Sequence, residues 1–182
     1  METEDCLIVV DFEATCDDGG RIQPHEMEII EIGAVKVNRK TGEVLDSFQS
    51  VVCPTIHPYL SSFCMQLTGI QQQDVDAAKT FEEILEDWKA WLGHPFWTYA
   101  SWGDFDRRLL DDSLRTLNEE RLFAHHINLK SRAKEVLGLK KTGLVEALRH
   151  VGMGFEGRQH RAIDDAVNIA SFVPLLHLKE SS

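Results

Sequence analysis

The sequence predicts an α/β domain, a mixed sheet flanked by helices. Three observations carry that prediction. Three strand-like segments come first, joined through turn residues. Strand and helix patterns then alternate towards the end of the chain. The length of 182 residues, with 43% hydrophobic and 27% charged residues, suits a globular chain with its own core rather than a disordered or fibrous one.

The elements follow in order. "LIVVDFE", from Leu7, runs four apolar residues into two acids and reads as a buried strand. "IIEIGAVKV", Ile29 to Val37, partly alternates and reads as a second strand. A turn at "NRKTGE" leads to a third, "VLDSFQSVV", and the three form an antiparallel meander. "LSSFCMQLTGI" is a short helix stopped at Gly69, and "QQQD" after it reads as a loop. "TFEEILEDWKAWLG" has a Thr80 cap, Glu83 at capping-box spacing, apolar residues at 81, 84, 85, 88 and 92, and a stop at Gly93. "FWTYASW" is a fourth strand and "DFDRRLLDDSLRTL" a helix. Helical pieces lie near 129–137 and 142–150. After the turn "GMGFEG", a last helix runs from about His160 to Leu176. His125 and His126 adjoin no acid at ligand spacing and read as surface. Trp88, Trp91, Trp97 and Trp102 fit core positions.

Composition excludes several classes. No apolar run approaches the ~20 residues that span a bilayer, so no membrane partner is expected. "METEDC" lacks the basic start of a signal peptide. Four widely spaced cysteines without a C-x-x-C pair predict reduced thiols and a cytoplasmic protein. The net charge of −11 argues against loose, charge-driven nucleic-acid binding. The charge is uneven, however. Residues 1–50 hold 12 acids against 4 bases, and residues 125–165 hold 8 Lys or Arg against 5 acids. Cations bridging an acidic site to a polyanion fit those counts, and so does an ordinary solvated surface.

Three segments carry candidate chemistry. In a strand, residues i and i+2 share a face, so Asp11 and Glu13 point together. Like charges so placed repel unless a cation sits between them, and a hard divalent ion with oxygen ligands is the natural partner. A strand end emerging into water would carry the same pair at little cost. "SWGDFDRRLL" puts Asp104 and Asp106 at a helix start, where acids also serve as plain N-terminal charges. "HRAIDDAVNIA" holds His160, Asp164 and Asp165 at the head of the last helix, with His160 and Asp165 five residues apart. The set suits two-metal phosphoryl transfer, with a histidine to take the proton of an attacking water.

The order of these motifs resembles the DEDDh 3′→5′ exonucleases, a superfamily that includes the proofreading subunit of bacterial DNA polymerase III and RNase T. "VVDFEATC", "FCMQLTGI", "WGDFD" and "GRQHRAIDDAVNIA" are similar to the subgroup of histone-mRNA 3′-exonucleases, RNAi-regulating exonucleases and KapD-like proteins. The resemblance covers residues 6 to 176. It implies an RNase H-like fold with a five-stranded mixed sheet and a single exonuclease domain over 1–182. It departs at Ala162, where "HRGIDD" is expected, and this removes no ligand.

The resemblance further implies Asp11, Glu13, Asp106 and Asp165 as ligands of two divalent cations, Mg²⁺ or Mn²⁺, with His160 as general base. Asp11 would bridge the ions. Asp104 and Asp164 would stand outside the set. Phe63, Leu67 and Phe105 would hold the terminal base, although Phe and Leu are usually core residues. Arg158 and Arg161, with Lys140 and Lys141, are candidates for phosphate contact. The implied activity is hydrolysis of single-stranded nucleic acid from a free 3′ end, RNA favoured over DNA, to nucleoside 5′-monophosphates.

Two other functions compete. "DFEAT" resembles the D-x-D-x-T loop of haloacid-dehalogenase-type phosphatases, but Glu13 replaces the second Asp and His160 stays unexplained. A catalytically silent nucleic-acid-binding fold is the other, and the filled set of five catalytic positions speaks against it.

Overall fold

The computed structural model describes residues 6–93, 98–140 and 143–178. Five strands form one sheet: β1 (Cys6–Ala14), β2 (Ile29–Asn38), β3 (Val44–Val51), β4 (Thr98–Ser101) and β5 (His125–Asn128), in the order β3-β2-β1-β4-β5. The β1–β2 and β2–β3 pairs are antiparallel, as the predicted meander requires. The β1–β4 and β4–β5 pairs are parallel. The helices are α1 (Ser62–Thr68), α2 (Gln72–Asp76), α3 (Phe81–Leu92), α4 (Phe105–Thr116), α5 (Leu129–Leu137), α6 (Leu144–His150) and α7 (Ala162–Ala170), followed by a 3₁₀ turn at Val173–Leu176.

Period-two alternation along β1 sorts the core into two layers. Ile8, Val10, Phe12 and Ala14 pack with Ile84, Leu85 and Trp88 of α3 and with Leu109 and Leu110 of α4. Trp88 is fully buried, with its ring at 87° to that of Phe12 and the centroids 5.8 Å apart. Leu7 and Val9 face the other layer, with Leu129 and Ala133 of α5, Leu148 of α6, and Ala166 and Ile169 of α7. Each buried Val, Leu, Ile or Phe side chain here contributes about 1.5–3 kcal/mol by leaving water. Asp11 and Glu13 continue the Leu7–Val9 face, so the two acids come out under α7.

Several sequence expectations change here. "QQQD" is not a loop. Gln71 and Asp74 form a reciprocal cap, with the Gln71 N–H donating to Asp74 Oδ2 at 2.8 Å, and Val75 is buried beneath α2. The last helix ends at Ala170 rather than at Leu176. Its continuation needs an N–H at 174 to donate to the Ala170 carbonyl, and Pro174 has none. Of the pair that opens β5, His125 is exposed, as expected, whereas His126 is half-buried and its Nε2 lies 2.9 Å from Oγ of buried Ser101. Trp97 and Lys141 lie outside the described residues, as does the start of "FWTYASW"; of its described part, Thr98–Ser101 is β4 and Trp102 follows the strand.

Candidate active site

Three elements converge on the acids. β1 supplies Asp11 and Glu13, and α7 supplies Asp165. One carboxylate oxygen from each lies within 4.8 Å of the others. The approach of α7 depends on Gly33, the cross-strand partner of Asp11. A Cβ on Gly33 would overlap the Ala162 carbonyl group and the Ile163 nitrogen. Glycine thus lets the start of α7 rest on the sheet beside Asp11. Ala162 itself is fully buried at that contact, so the departure from Gly is absorbed without loss of a carboxylate.

Asp106 comes from the opposite side of β1. β4 ends at Ser101 and pairs with β1 only at Ile8 and Val9. The Phe12 N–H, between the two β1 acids, donates instead to Asp106 Oδ1 at 3.1 Å. Asp106 is only 5% exposed. It stands outside the three-carboxylate group, yet its charge acts on all three members.

The electrostatics are those of buried carboxylates that raise one another's pKa. Burial, then the charges of Asp106, Asp165, Glu13 and Glu31, pushes Asp11 well above the ordinary carboxylate range. Burial, then Asp165, Glu31 and Asp106, pushes Glu13 up to about 8. Burial raises Asp165 to about 6, against backbone N–H groups of His160 and Arg161 that lower it. Burial likewise raises Asp106 to about 6, against the Phe12 N–H. Asp165 Oδ2 is buried with no hydrogen-bond partner among the described residues. A buried carboxylate oxygen without a partner is costly unless a cation takes it. An all-oxygen donor set of this kind suits hard divalent ions, so the residues present fit the implied metals.

The other candidates are placed as follows. His160 is exposed and sits at φ 61°, a left-handed conformation rare for a side-chain-bearing residue. That turn presents its N–H to the Asp165 carboxylate. Phe63 on α1 and Phe105 at the start of α4 are 38% and 42% exposed, so neither ring is committed to the core, and Leu67 is half-buried one turn from Phe63. Arg158 is exposed, its guanidinium lying over Gly69, where a side chain would collide with it. Arg161 is engaged differently from the phosphate contact expected of it. Its Nε and Nη2 are held by the fully buried Glu31. Glu31 is the residue that reading the sequence missed. Its place opposite Glu13 in the β1–β2 register could have pointed to it.

The family model for exonucleases of the RNase T type matches residues 8–173. Human ERI1 exoribonuclease 3 is 33% identical over 181 residues, covering 93% of this chain and 53% of its own. Human 3′-5′ exoribonuclease 1 is 34% identical over 180 residues, covering 91% of this chain and 50% of its own. Human ERI1 exoribonuclease 2 is 33% identical across 91% of this chain but only 27% of its own length. The chain therefore spans between about a quarter and a half of these human relatives. Among solved structures, the nuclease domain of 3′hExo, a DEDDh family member bound to rAMP, superposes with a TM-score of 0.87 at 30% identity. That match covers 100% of this chain and 98% of the other. Cell-death related nuclease 4 superposes at 0.82 with 25% identity, over 94% and 63% of the two chains. With a family model running from β1 to the final 3₁₀ turn and the acids of β1, α4 and α7 gathered as described, the chain belongs to the RNase T-type, DEDDh exonuclease family.

Proposed function

We propose that this chain is a metal-dependent 3′→5′ exonuclease. It hydrolyses single-stranded nucleic acid from a free 3′ end, RNA in preference to DNA, and releases nucleoside 5′-monophosphates. The observation that carries the reading is the meeting of Asp11, Glu13 and Asp165 within 4.8 Å, with a buried oxygen of Asp165 left unpartnered. The RNA preference is supported by relatives named exoribonucleases and by a structural neighbour bound to rAMP.

When bound, two divalent cations, Mg²⁺ or Mn²⁺, supply the pull on the scissile phosphate and the acidity of the attacking water. Asp11, Glu13, Asp106 and Asp165 are the residues that would hold them. His160 takes the proton of the water; a positioned base of this kind is worth roughly 10²–10⁴-fold. Its exposure leaves the imidazole free to pass that proton to solvent. Phe63, Leu67 and Phe105 hold the terminal base by its faces, which every base offers. Arg158 offsets the charge of an incoming phosphate. We place these residues in a single exonuclease domain over about 6–176. We assign the protein to the cytoplasm, where its four free thiols would stay reduced. Among the described residues no helix is long and apolar enough to cross a membrane.

The test is a matched pair of 5′-labelled RNA and DNA single strands, in excess chelator and then with Mg²⁺ or Mn²⁺. A ladder shortening stepwise from the 3′ end, faster on RNA, only with metal, is expected. Full turnover in chelator would remove the metal site. Release of the labelled 5′ nucleotide as the first product would reverse the direction. Binding without turnover would leave a silent fold.

A further inference from the structure

Glu31 lies opposite Glu13 in the β1–β2 register, so a fifth carboxylate faces α7 beside the metal acids. It is fully buried, and a buried carboxylate needs partners. It has four groups donating to it. Arg161 Nη2 reaches Oε1 at 2.6 Å, and Arg161 Nε reaches both oxygens at 3.2 and 3.1 Å. The Ala162 N–H donates to Oε2 at 2.9 Å, and Gln49 Nε2 to Oε1 at 2.9 Å. A buried carboxylate met by a planar fork has its geometry specified as well as its charge offset.

What the pair holds is the turn that carries two members of the site. Arg161 and Ala162 sit between His160 and Asp165. Ala162 begins α7 against Gly33, and His160 is in a left-handed conformation that persists only where its surroundings enforce it. Arg161 precedes α7 with no side-chain cap of its own. Its side chain reaches back to β2, which pins the residue following His160 to the strand next to Asp11 and Glu13.

We infer that Glu31 and Arg161 are positioning residues: the buried ion pair sets where His160 and Asp165 stand relative to the β1 acids, and Arg161 acts through Glu31 rather than on a substrate phosphate. The inference deepens the exonuclease reading and rests on it. Outer partners of metal ligands typically change metal affinity or activity about 10–100-fold when removed.

The test uses Arg161→Lys, which keeps the charge but loses the fork, Glu31→Gln, which keeps the shape but loses the charge, and the double variant. Each is measured for kcat and KM on a labelled RNA strand, for Mn²⁺ affinity and stoichiometry by calorimetry, and for Tm. Each single variant is expected to lower kcat about 10–100-fold or weaken Mn²⁺ binding to a similar extent, with KM nearly unchanged. The double variant is expected to be no worse than the worse single one, because both break the same pair. A raised KM at normal kcat for Arg161→Lys, with a shallower salt dependence and a normal Glu31→Gln protein, would make Arg161 a phosphate contact and overturn the proposal. Losses that only track a reduced Mn²⁺ stoichiometry would make the pair a plain stabiliser and overturn it as well. An inactive wild type would sink the exonuclease reading, while the Mn²⁺ affinities would still decide the role of the pair.

Discussion

Asp104 and Asp106 begin the same helix two residues apart, and their surroundings separate them. Asp104 is exposed, accepts from Asn128 Nδ2 at 3.0 Å and lies 3.5 Å from Arg107 Nε. Asp106 is buried against the Phe12 N–H between the β1 acids. The same division recurs in α7. Asp164 Oδ2 accepts the Arg158 N–H at 2.8 Å and fills the space over Gly157, where a Cβ would come within 2.6 Å of the carboxyl carbon. Asp165 turns to the sheet. Asp106→Asn and Asp165→Asn should each remove most turnover, whereas Asp104→Asn should leave kcat within a few-fold. Single-turnover rates at saturating Mn²⁺ measure this, and an inactive Asp104→Asn protein would shift the register of the second motif. Asp164→Asn keeps an acceptor for the Arg158 N–H and should also be mild. His160→Ala should lower kcat by roughly 10²–10⁴-fold with Mn²⁺ affinity nearly intact, since its side chain is no metal ligand in this reading. Near-normal kcat in that protein would take His160 out of the mechanism. These pairs were separable in the sequence only through the family pattern. Spacing alone left both members of each pair at a helix start, because which acid faces the sheet depends on how the helix meets it.

At the scale of elements, the decisive contact is α7 on β2. Gly33 admits it, Glu31 ties it, and Asn168 steadies the loop before it by accepting the Glu156 N–H and donating to the Glu156 and Asp164 carbonyls. Gly33→Ala would force α7 away from Asp11, because the obstruction is backbone and cannot swing aside. The expected result is about 1–3 kcal/mol of lost stability from overpacking, with Mn²⁺ affinity falling in the protein that remains folded. Thermal melts and calorimetry read the two effects, and a Gly33→Ala protein with normal Tm and normal Mn²⁺ binding would show that α7 does not depend on that approach. The strands and long helices around this contact were legible because alternation and caps are local signals: β1, β2, β3 and α3 stand where their patterns put them. The exceptions have local reasons too. β5 is four residues of polar and β-branched sequence that become a strand only by pairing with β4. α2 hides its capping pair in a run of glutamines. Glu31 looked like one acid in an alternating strand, because its partner lies 130 residues away.

For the whole molecule, the clustered acids make stability depend on both pH and metal. With a net charge of −11, little background positive charge is available to relieve them. In the folded, metal-free protein, Glu13 holds its proton up to about 8, and Asp106 and Asp165 hold theirs up to about 6. In the unfolded chain the same groups release protons near ~4. The folded state therefore binds more protons over this range, and stability falls as pH rises from about 4 to about 8. Glu13 contributes the upper part of that decline. Divalent cations reverse it, because they bind the deprotonated carboxylates of the folded state and displace the protons. In chelator, the Tm of the wild type should decline between pH 6 and 8 more steeply than that of Glu13→Gln, whose amide does not titrate. Histidines elsewhere act equally in both proteins and cancel in the difference. Saturating Mn²⁺ should raise the wild-type Tm more at pH 8 than at pH 6, and should raise that of Glu13→Gln less at either pH. Parallel Tm curves for the two proteins, with equal shifts on adding Mn²⁺, would mean that Glu13 neither carries the strain of the acid cluster nor shares in binding the ion.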